Sequence, residues 1–301
     1  MSIKGKLTSK PGGRPQTAVE IAPEGALAAT IPSDSDTPVY AFAPLAAGAL
    51  IPGVAESNIR AADAVAEAIR SVLGQISPKS RAVTLVLPDT SVRVFVLDFD
   101  TLPSKTVEAV PVLRFRLRKM VPFDVEHAAL SYQVLVQSEA SVKVLATVMP
   151  GPILTEYEAA VRAAGYEPGA VLPSSLASLA ALDSLEPILA ANMTAQALTT
   201  SITSGQDLHL FRTVELPEEP TARAAEVQRN IAVAAAYYED KLLARPRQLL
   251  YAGSQDAEAF SRILGDPELS VVDMAPATGL GATTARGPVS LAGISGALAG
   301  A

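Results

Sequence analysis

The chain has 301 residues, 53 of them Ala, and carries 24 Lys and Arg against 31 Asp and Glu. It has no Cys, no Trp and only two His, His127 and His209, which excludes disulfide frameworks, thiolate zinc sites, Cys nucleophiles and iron–sulfur clusters. The net charge of −7 argues against a nucleic-acid binder, and a hydrophobic content of 49 % supports a sizeable core, at a length that suggests about two domains of roughly 100–200 residues.

Residues 1–16 carry Lys4, Lys6, Lys10 and Arg14 and no acid, leaving −11 on the rest. Together with Pro11, Gly12, Gly13 and Pro15 they read as a flexible basic tail. The ordinary reading is a solvated terminus; the sharper one is attraction to an anionic membrane surface. No apolar run follows the lysines, so the stretch is not a secretory signal. Ala18–Ile21 and Ala26–Ile31 form a candidate hairpin around Pro23, Glu24 and Gly25.

Thr37 to Ala55 is uncharged and close to the roughly 20 residues that cross a bilayer. Pro38, Pro44 and Pro52 would leave carbonyls unpaired in lipid, so the segment is read as two short strands, around Val39–Ala43 and Ala49–Ile51. Ile59–Leu73 has apolar residues at helical spacing and should stop at Gly74. Gly287–Ala301 is also uncharged but too short and Gly-rich to span, so the chain is expected to be soluble and cytoplasmic.

Arg81–Leu87 reads as a buried strand broken by Pro88–Asp89, and Val92–Phe99 as a second strand paired with it. Lys105–Met120 is expected to be a helix capped by Ser104 and kinked or broken at Pro111. Leu130–Gln137 and Val142–Met149 form an antiparallel pair, followed by a helix at Ile153–Ala164, a strand at Tyr166–Leu172 and an Ala-rich helix at Leu176–Leu189. Ala195–Thr203 and Asp207–Leu216 make a hairpin. A long helix at Thr221–Leu243, a strand at Gln248–Ala252, a helix at Ala257–Leu264 and a strand at Leu269–Asp273 complete the pattern. The class is α/β with hairpin-containing, mixed sheets, in two halves split near 190–195.

Chemistry-bearing motifs are scarce. The sequence has no G-x-x-x-x-G-K-[ST] loop, no G-x-G-x-x-G after a strand and no G-x-S-x-G elbow. His127 in a polar turn and His209 on a strand are expected to be structural, as are the acid pairs Glu218–Glu219 and Asp98–Asp100.

The most distinctive stretch is AVTLVLPDTSVRVFVLDFDTLP leading into VLRFRLRKMVPFDVEHAALSYQVL. Pro88–Asp89, the strand Val92–Leu97, the helix Arg114–Met120, Pro122–Phe123 and Tyr132–Gln133 occur in an order and spacing that resemble the PilM family of type IV pilus assembly proteins. These are actin-like proteins related to the division protein FtsA. AAGYEPGAVLPSSLASLAAL (163–182) and LLYAGS (249–254) extend the resemblance over roughly 16–295. It implies an actin-like, ribonuclease H-like fold with two lobes and a central cleft. The expected division is a tail at 1–16, a first lobe at 17–192 with an inserted subdomain at about 81–149, and a second lobe at 193–301.

Actin-like proteins bind ATP in that cleft, and here the family's phosphate elements are altered. In place of D-I-G-x-x-x-x-K stand Glu20, Ile21, Ala22, Pro23, Glu24, Gly25, Ala26 and Leu27. Glu replaces the metal-linked Asp, Ala22 replaces a Gly, Pro23 removes an N–H donor and Leu27 replaces the Lys. The second hairpin keeps Thr199 and Thr200 without Asp-x-Gly, and the adenosine strand shows Gly253 followed by Ser254. These six positions, Glu20, Ala22, Thr199, Thr200, Gly253 and Ser254, would line a vestigial nucleotide cleft in a pseudo-ATPase with no cofactor, or with weak ATP binding at most.

The resemblance further implies a non-catalytic cytoplasmic adaptor, peripheral to the inner membrane. Its partner would be the N-terminal cytoplasmic peptide of a PilN-like bitopic protein, alongside other pilus platform components and self-association. Arg114, Arg118 and Phe123 are the candidate partner-binding residues, against the plainer reading of an amphipathic helix with a solvated basic side. Two alternatives stand beside it: a GspL-like component of type II secretion, whose chains continue into a membrane helix where this one stops at Ala301, and an actin-like ATPase that retains nucleotide.

Overall fold

The computed structural model describes residues 14–32, 37–182, 184–205, 207–274 and 289–299. The basic tail therefore lies outside the described residues up to Gly13. The first sheet begins with the antiparallel strands β1 (Thr17–Ala22), β2 (Gly25–Thr30) and β3 (Val39–Pro44). The two-residue Pro23–Glu24 turn joins β1 to β2. A Cβ at Gly25 would lie 2.3 Å from the Ala43 carbonyl oxygen and 2.6 Å from the Phe42 ring, so only Gly fits there. The second expected strand near Ala49–Ile51 is a single bridge, Leu50 to Ile59.

Helix α1 (Ala62–Ile76) runs through Gly74, contrary to the sequence expectation. Its apolar face continues through Val72, Leu73 and Ile76, all buried, and that burial outweighs the cost of one helical glycine. The helix ends at Ser77, which adopts φ 47° and donates its N–H to the Leu73 carbonyl.

Strand β4 (Ala82–Leu87) joins β1 in parallel. The 3-10 turn Asp89–Ser91 then redirects the chain, so β5 (Arg93–Phe99) does not pair with β4 as its sequence suggests. It enters a separate three-stranded antiparallel sheet, β5-β7-β6, with β6 (Ala128–Gln137) and β7 (Val142–Pro150). Helix α2 (Thr106–Leu117) covers this sheet with Ala109, Leu113 and Leu117. Ser104 does not cap it: Lys105 is the N-cap residue, and no side-chain bond closes the end. Pro111 sits inside α2 without breaking it. The carbonyl it leaves unmatched is that of the exposed Val107, where water can replace the lost N–H.

Helix α3 (Gly151–Ala163) and strand β8 (Glu167–Pro173) complete the first lobe, with order β3-β2-β1-β4-β8. The expected Leu176–Leu189 helix is cut short. Only α4 (Ser174–Leu179) is helical, and β9 (Pro187–Met193) starts at Pro187. The chain leaves the helix after Leu179 and turns through exposed Leu185 and Glu186, and from Pro187 on it is paired between β10 and β12, where tertiary pairing outweighs helix propensity. The second sheet, β11-β10-β9-β12-β13, uses β10 (Ala197–Ser204), β11 (Asp207–Glu215), β12 (Gln248–Gly253) and β13 (Ser270–Asp273). Helices α5 (Pro220–Leu242) and α6 (Ala257–Leu264) pack on it.

Both five-stranded sheets have one design: an antiparallel three-strand meander whose first strand pairs in parallel with a fourth, and the fourth with a fifth. The inserted sheet comprises β5–β7, while β4 belongs to the first lobe. Helix α7 (Ala292–Ala299) crosses back from the second lobe to pack on α4 and the first sheet.

Candidate functional site

Alternation along β1 decides where Glu20 goes. Val19 and Ile21 face α1 in the main core, so Ala18 and Glu20 face α4 and α7. Glu20 is consequently buried at 7 % exposure. Its Oε1 accepts from Ser174 Oγ at 2.6 Å, while Oε2 has no hydrogen-bond partner. Burial, opposed by the Ser174 bond and reinforced by the nearby Asp89 charge, pushes its pKa up to about 7; the Ile294 backbone N–H in the first turn of α7 pulls the other way. A Cβ at Gly293 would lie 2.4 Å from Ser174 Oγ and 3.0 Å from Glu20 Oε2, so α7 seals this carboxyl from the cleft side.

Asp89 is the residue that sequence reasoning passed over as a strand breaker. It accepts from the Ser175 backbone N–H at 3.0 Å, from Ser175 Oγ and, across the cleft, from Thr199 Oγ1 at 2.9 Å. Thr199 spends its only proton on Asp89, so Thr213, 2.9 Å away, donates to Thr199. Burial raises the Asp89 pKa and these donors oppose it. Neither Glu20 nor Asp89 meets a Lys or Arg in an ion pair among the described residues. The ordered signal in the sequence was the Pro88–Asp89 turn followed by the Ser174–Ser175 pair.

The other sequence candidates scatter. Thr200 points opposite to Thr199, to the face of Leu198 and Ile202 in the second core. Ala22 ends β1 beside Gly25. Gly253 ends β12, where a Cβ would lie 2.9 Å from the Met193 carbonyl and inside the Tyr251 hydroxyl; this packing accounts for the glycine, and Ser254 follows on the surface. The two phosphate-type turns do face each other. Pro23 and Glu24 from the first lobe and Gln196 from the second line one cavity of about 450 Å³, whose other walls are Phe42, Pro44, Leu45, Leu50 and Ile51.

Arg114 is not a surface anchor. Its guanidinium donates to the Val125 carbonyl and, at 3.1 Å, to that of Ala128, tying α2 to the start of β6. Arg118 pairs with Glu126 at 2.5 Å, and Phe123 packs against the core of the inserted sheet. The structure therefore does not gather these three into one face. Glu219 accepts from the N–H groups of Thr221 and Ala222 as the cap of α5, and exposed His127 pairs with Asp124 at 2.6 Å.

A second concavity lies where the inserted sheet meets the first lobe. Ala129, Leu130 and Ser131 of β6, Thr147 and Met149 of β7, Leu154 of α3 and Val171 and Pro173 of β8 surround about 150 Å³. β6 is the edge strand of its sheet beside this groove, paired with β7 alone among the described strands.

Two lobes of one repeated sheet design, joined by crossing helices with a cleft between them, define an actin-like fold. Among solved structures, the chain is similar to a PilM–PilN type IV pilus biogenesis complex at TM-score 0.72 and 18 % identity, covering 94 % of this chain and 97 % of that one. It is also similar to the cytoplasmic domain of EpsL, an inner-membrane component of the type II secretion system of Vibrio cholerae, at TM-score 0.53 and 14 % identity, covering 94 % of both chains. No known family profile and no curated protein sequence matches it. Among the described residues no helix is long and apolar enough to cross a membrane.

Proposed function

We propose that this chain is a non-catalytic adaptor of a type IV pilus platform that holds the N-terminal cytoplasmic peptide of a PilN-like membrane protein. The observation that carries the reading is the apolar groove between β6, β7, α3 and β8 beside the edge strand β6. An extended peptide there would gain backbone hydrogen bonds from β6 and bury alternate side chains against Leu130, Leu154 and Val171. The likeness to a PilM–PilN complex supports the choice of partner. In this proposal the partner would lie at the junction of the lobe and the insert rather than on Arg114 and Arg118. The chain would sit at the cytoplasmic face of the inner membrane, held there by its partner.

The same proposal makes the chain a pseudo-ATPase. The cavity between the facing turns offers Pro23, Glu24, Gln196 and apolar walls, with no Lys or Arg among its described lining residues, and Glu24 would repel a triphosphate. Glu20 and Thr199 are committed to Ser174 and Asp89. The residues present do not fit the nucleotide.

Fluorescence anisotropy with a labelled N-terminal peptide of a PilN-like protein tests the adaptor. Binding that falls at least about tenfold in Leu130→Glu and in Leu154→Glu supports it, since each variant puts a charge where an apolar contact is expected. No binding to the wild type, or equal binding to the variants, refutes it. Calorimetry with ATP and magnesium should show no heat of binding; micromolar affinity would overturn the pseudo-ATPase reading.

A further inference from the structure

Helix α2 carries apolar residues on two sides. Ala109, Leu113 and Leu117 are buried on the inserted sheet, yet Val107 is 77 % exposed and Phe115 72 % exposed on the opposite face, with Pro111 and Val112 between them in the open. A single exposed Phe is ordinary, but a row spaced by four residues on one helix face is an unpartnered stripe. Basic residues flank the C-terminal end of that face: Arg116 sits one turn after Val112, and Lys119 follows in the turn after the helix. Arg116 and Lys119 are exposed and have no ion-pair partner among the described residues, whereas Lys105 and Arg118 are neutralised by Glu108 and Glu126. Two uncommitted cations beside exposed Phe and Val are conspicuous on a chain of net charge −7.

We propose that this face of α2 lies on an anionic lipid surface. The chemistry favours lipid over a peptide because the face sets exposed apolar side chains beside two cations, and no residue of α2 lines either cavity described above, whereas peptides are usually taken in grooves. A protruding apolar stripe flanked by Lys and Arg is the form that settles at a headgroup boundary, with Phe115 and Val107 among the acyl chains and Arg116 and Lys119 at the phosphates. The proposal deepens the adaptor reading, because it rests on the chain working beside a membrane-anchored partner. It adds a second attachment, so that peptide and lipid would bind together with a raised effective concentration.

The sequence has no Trp, so Phe115→Trp in the full chain gives a single reporter on the face itself. With vesicles containing about one third phosphatidylglycerol its emission is expected to shift to the blue, and salt should reverse the shift. Phosphatidylcholine vesicles should leave it unchanged. Adding Arg116→Glu and Lys119→Glu should weaken partition at least about tenfold, as expected for removing two surface cations. Removing residues 1–13 should leave the shift in place. An unshifted emission, an equal shift on neutral vesicles, or loss of the shift with the tail would each overturn the proposal. Peptide affinity is expected to be the same in the Glu variants. Peptide binding without a vesicle shift sinks the lipid face alone, while a vesicle shift without peptide binding sinks the adaptor reading alone.

Discussion

Thr199 in the second lobe donates a 2.9 Å hydrogen bond to Asp89 in the first. The acceptor is buried and also caps α4 through Ser175, so one carboxylate ties both lobes and the connecting helix. Thr199→Val keeps the volume but removes the donor. It is expected to lower the unfolding free energy by about 1–3 kcal/mol, the usual cost of weakening the solvation of a buried charged group. A urea denaturation midpoint equal to that of the wild type would show that the bond is not holding the lobes.

Glu20 makes stability depend on pH in the direction opposite to an ion-paired acid. Its folded pKa is raised from 4.5 to about 7. Between those values the native state binds the proton and the unfolded state does not, so stability falls as pH rises and levels off above the folded pKa. Asp89, also raised, acts in the same sense. Glu20→Gln is uncharged like the protonated form and keeps an Oε1 that accepts from Ser174 Oγ. It should raise the melting temperature at pH 8 and leave it unchanged near pH 4.5, by an amount on the order of 3 kcal/mol at about 1.4 kcal/mol per pKa unit. Parallel pH profiles for the variant and the wild type would refute the assignment.

The crossing of α4 and α7 depends on a missing side chain. A Cβ at Gly296 would lie 2.0 Å from the Ala177 carbonyl oxygen, which is backbone and cannot swing aside. Gly296→Ala is expected to cost about 1–3 kcal/mol through overpacking, despite the better helix propensity of Ala. A variant as stable as the wild type in thermal melts would mean that α7 shifts freely on the first lobe.

These relationships divide what could be read from the sequence from what could not. The β1–β2 and β10–β11 hairpins, the long helix α5 and the pair β6–β7 were legible because their periodicity and turns are local. The partner of β5 was not, because Arg93–Phe99 alternates equally well against β4 or β7, and only the turn at Asp89–Ser91 decides. The stretch Leu176–Leu189 misled because its Ala and Leu residues favour a helix, whereas the chain turns after Leu179 and enters β9 at Pro187. In the cleft, Glu20 and Thr199 were singled out from the order of the family's motifs. Asp89, which accepts from Thr199 and Ser175, was missed because these partners are 110 and 86 residues away. The groove beside β6 was beyond reach, since β6, β7, α3 and β8 form it from distant parts of the chain.

Arg114 and Arg118 look equivalent in the sequence, one helical turn apart on a basic helix, and the structure separates them. Arg114 is half-buried and satisfies two carbonyls, Val125 and Ala128, that have turned away from regular pairing at the start of β6. Truncating it leaves those acceptors without a charged donor under α2, and Arg114→Ala should cost about 1.5–3 kcal/mol, the range for hydrogen bonds to a charged group. Arg118 reaches Glu126 from a side chain that is 62 % exposed, where solvent and salt screen the pair, so Arg118→Ala should cost at most about 1 kcal/mol. Hydrogen exchange distinguishes the two: amides of α2 and β6 should lose protection in the Arg114 variant and keep it in the Arg118 variant. Equal loss in both would return Arg114 to the role of a surface charge.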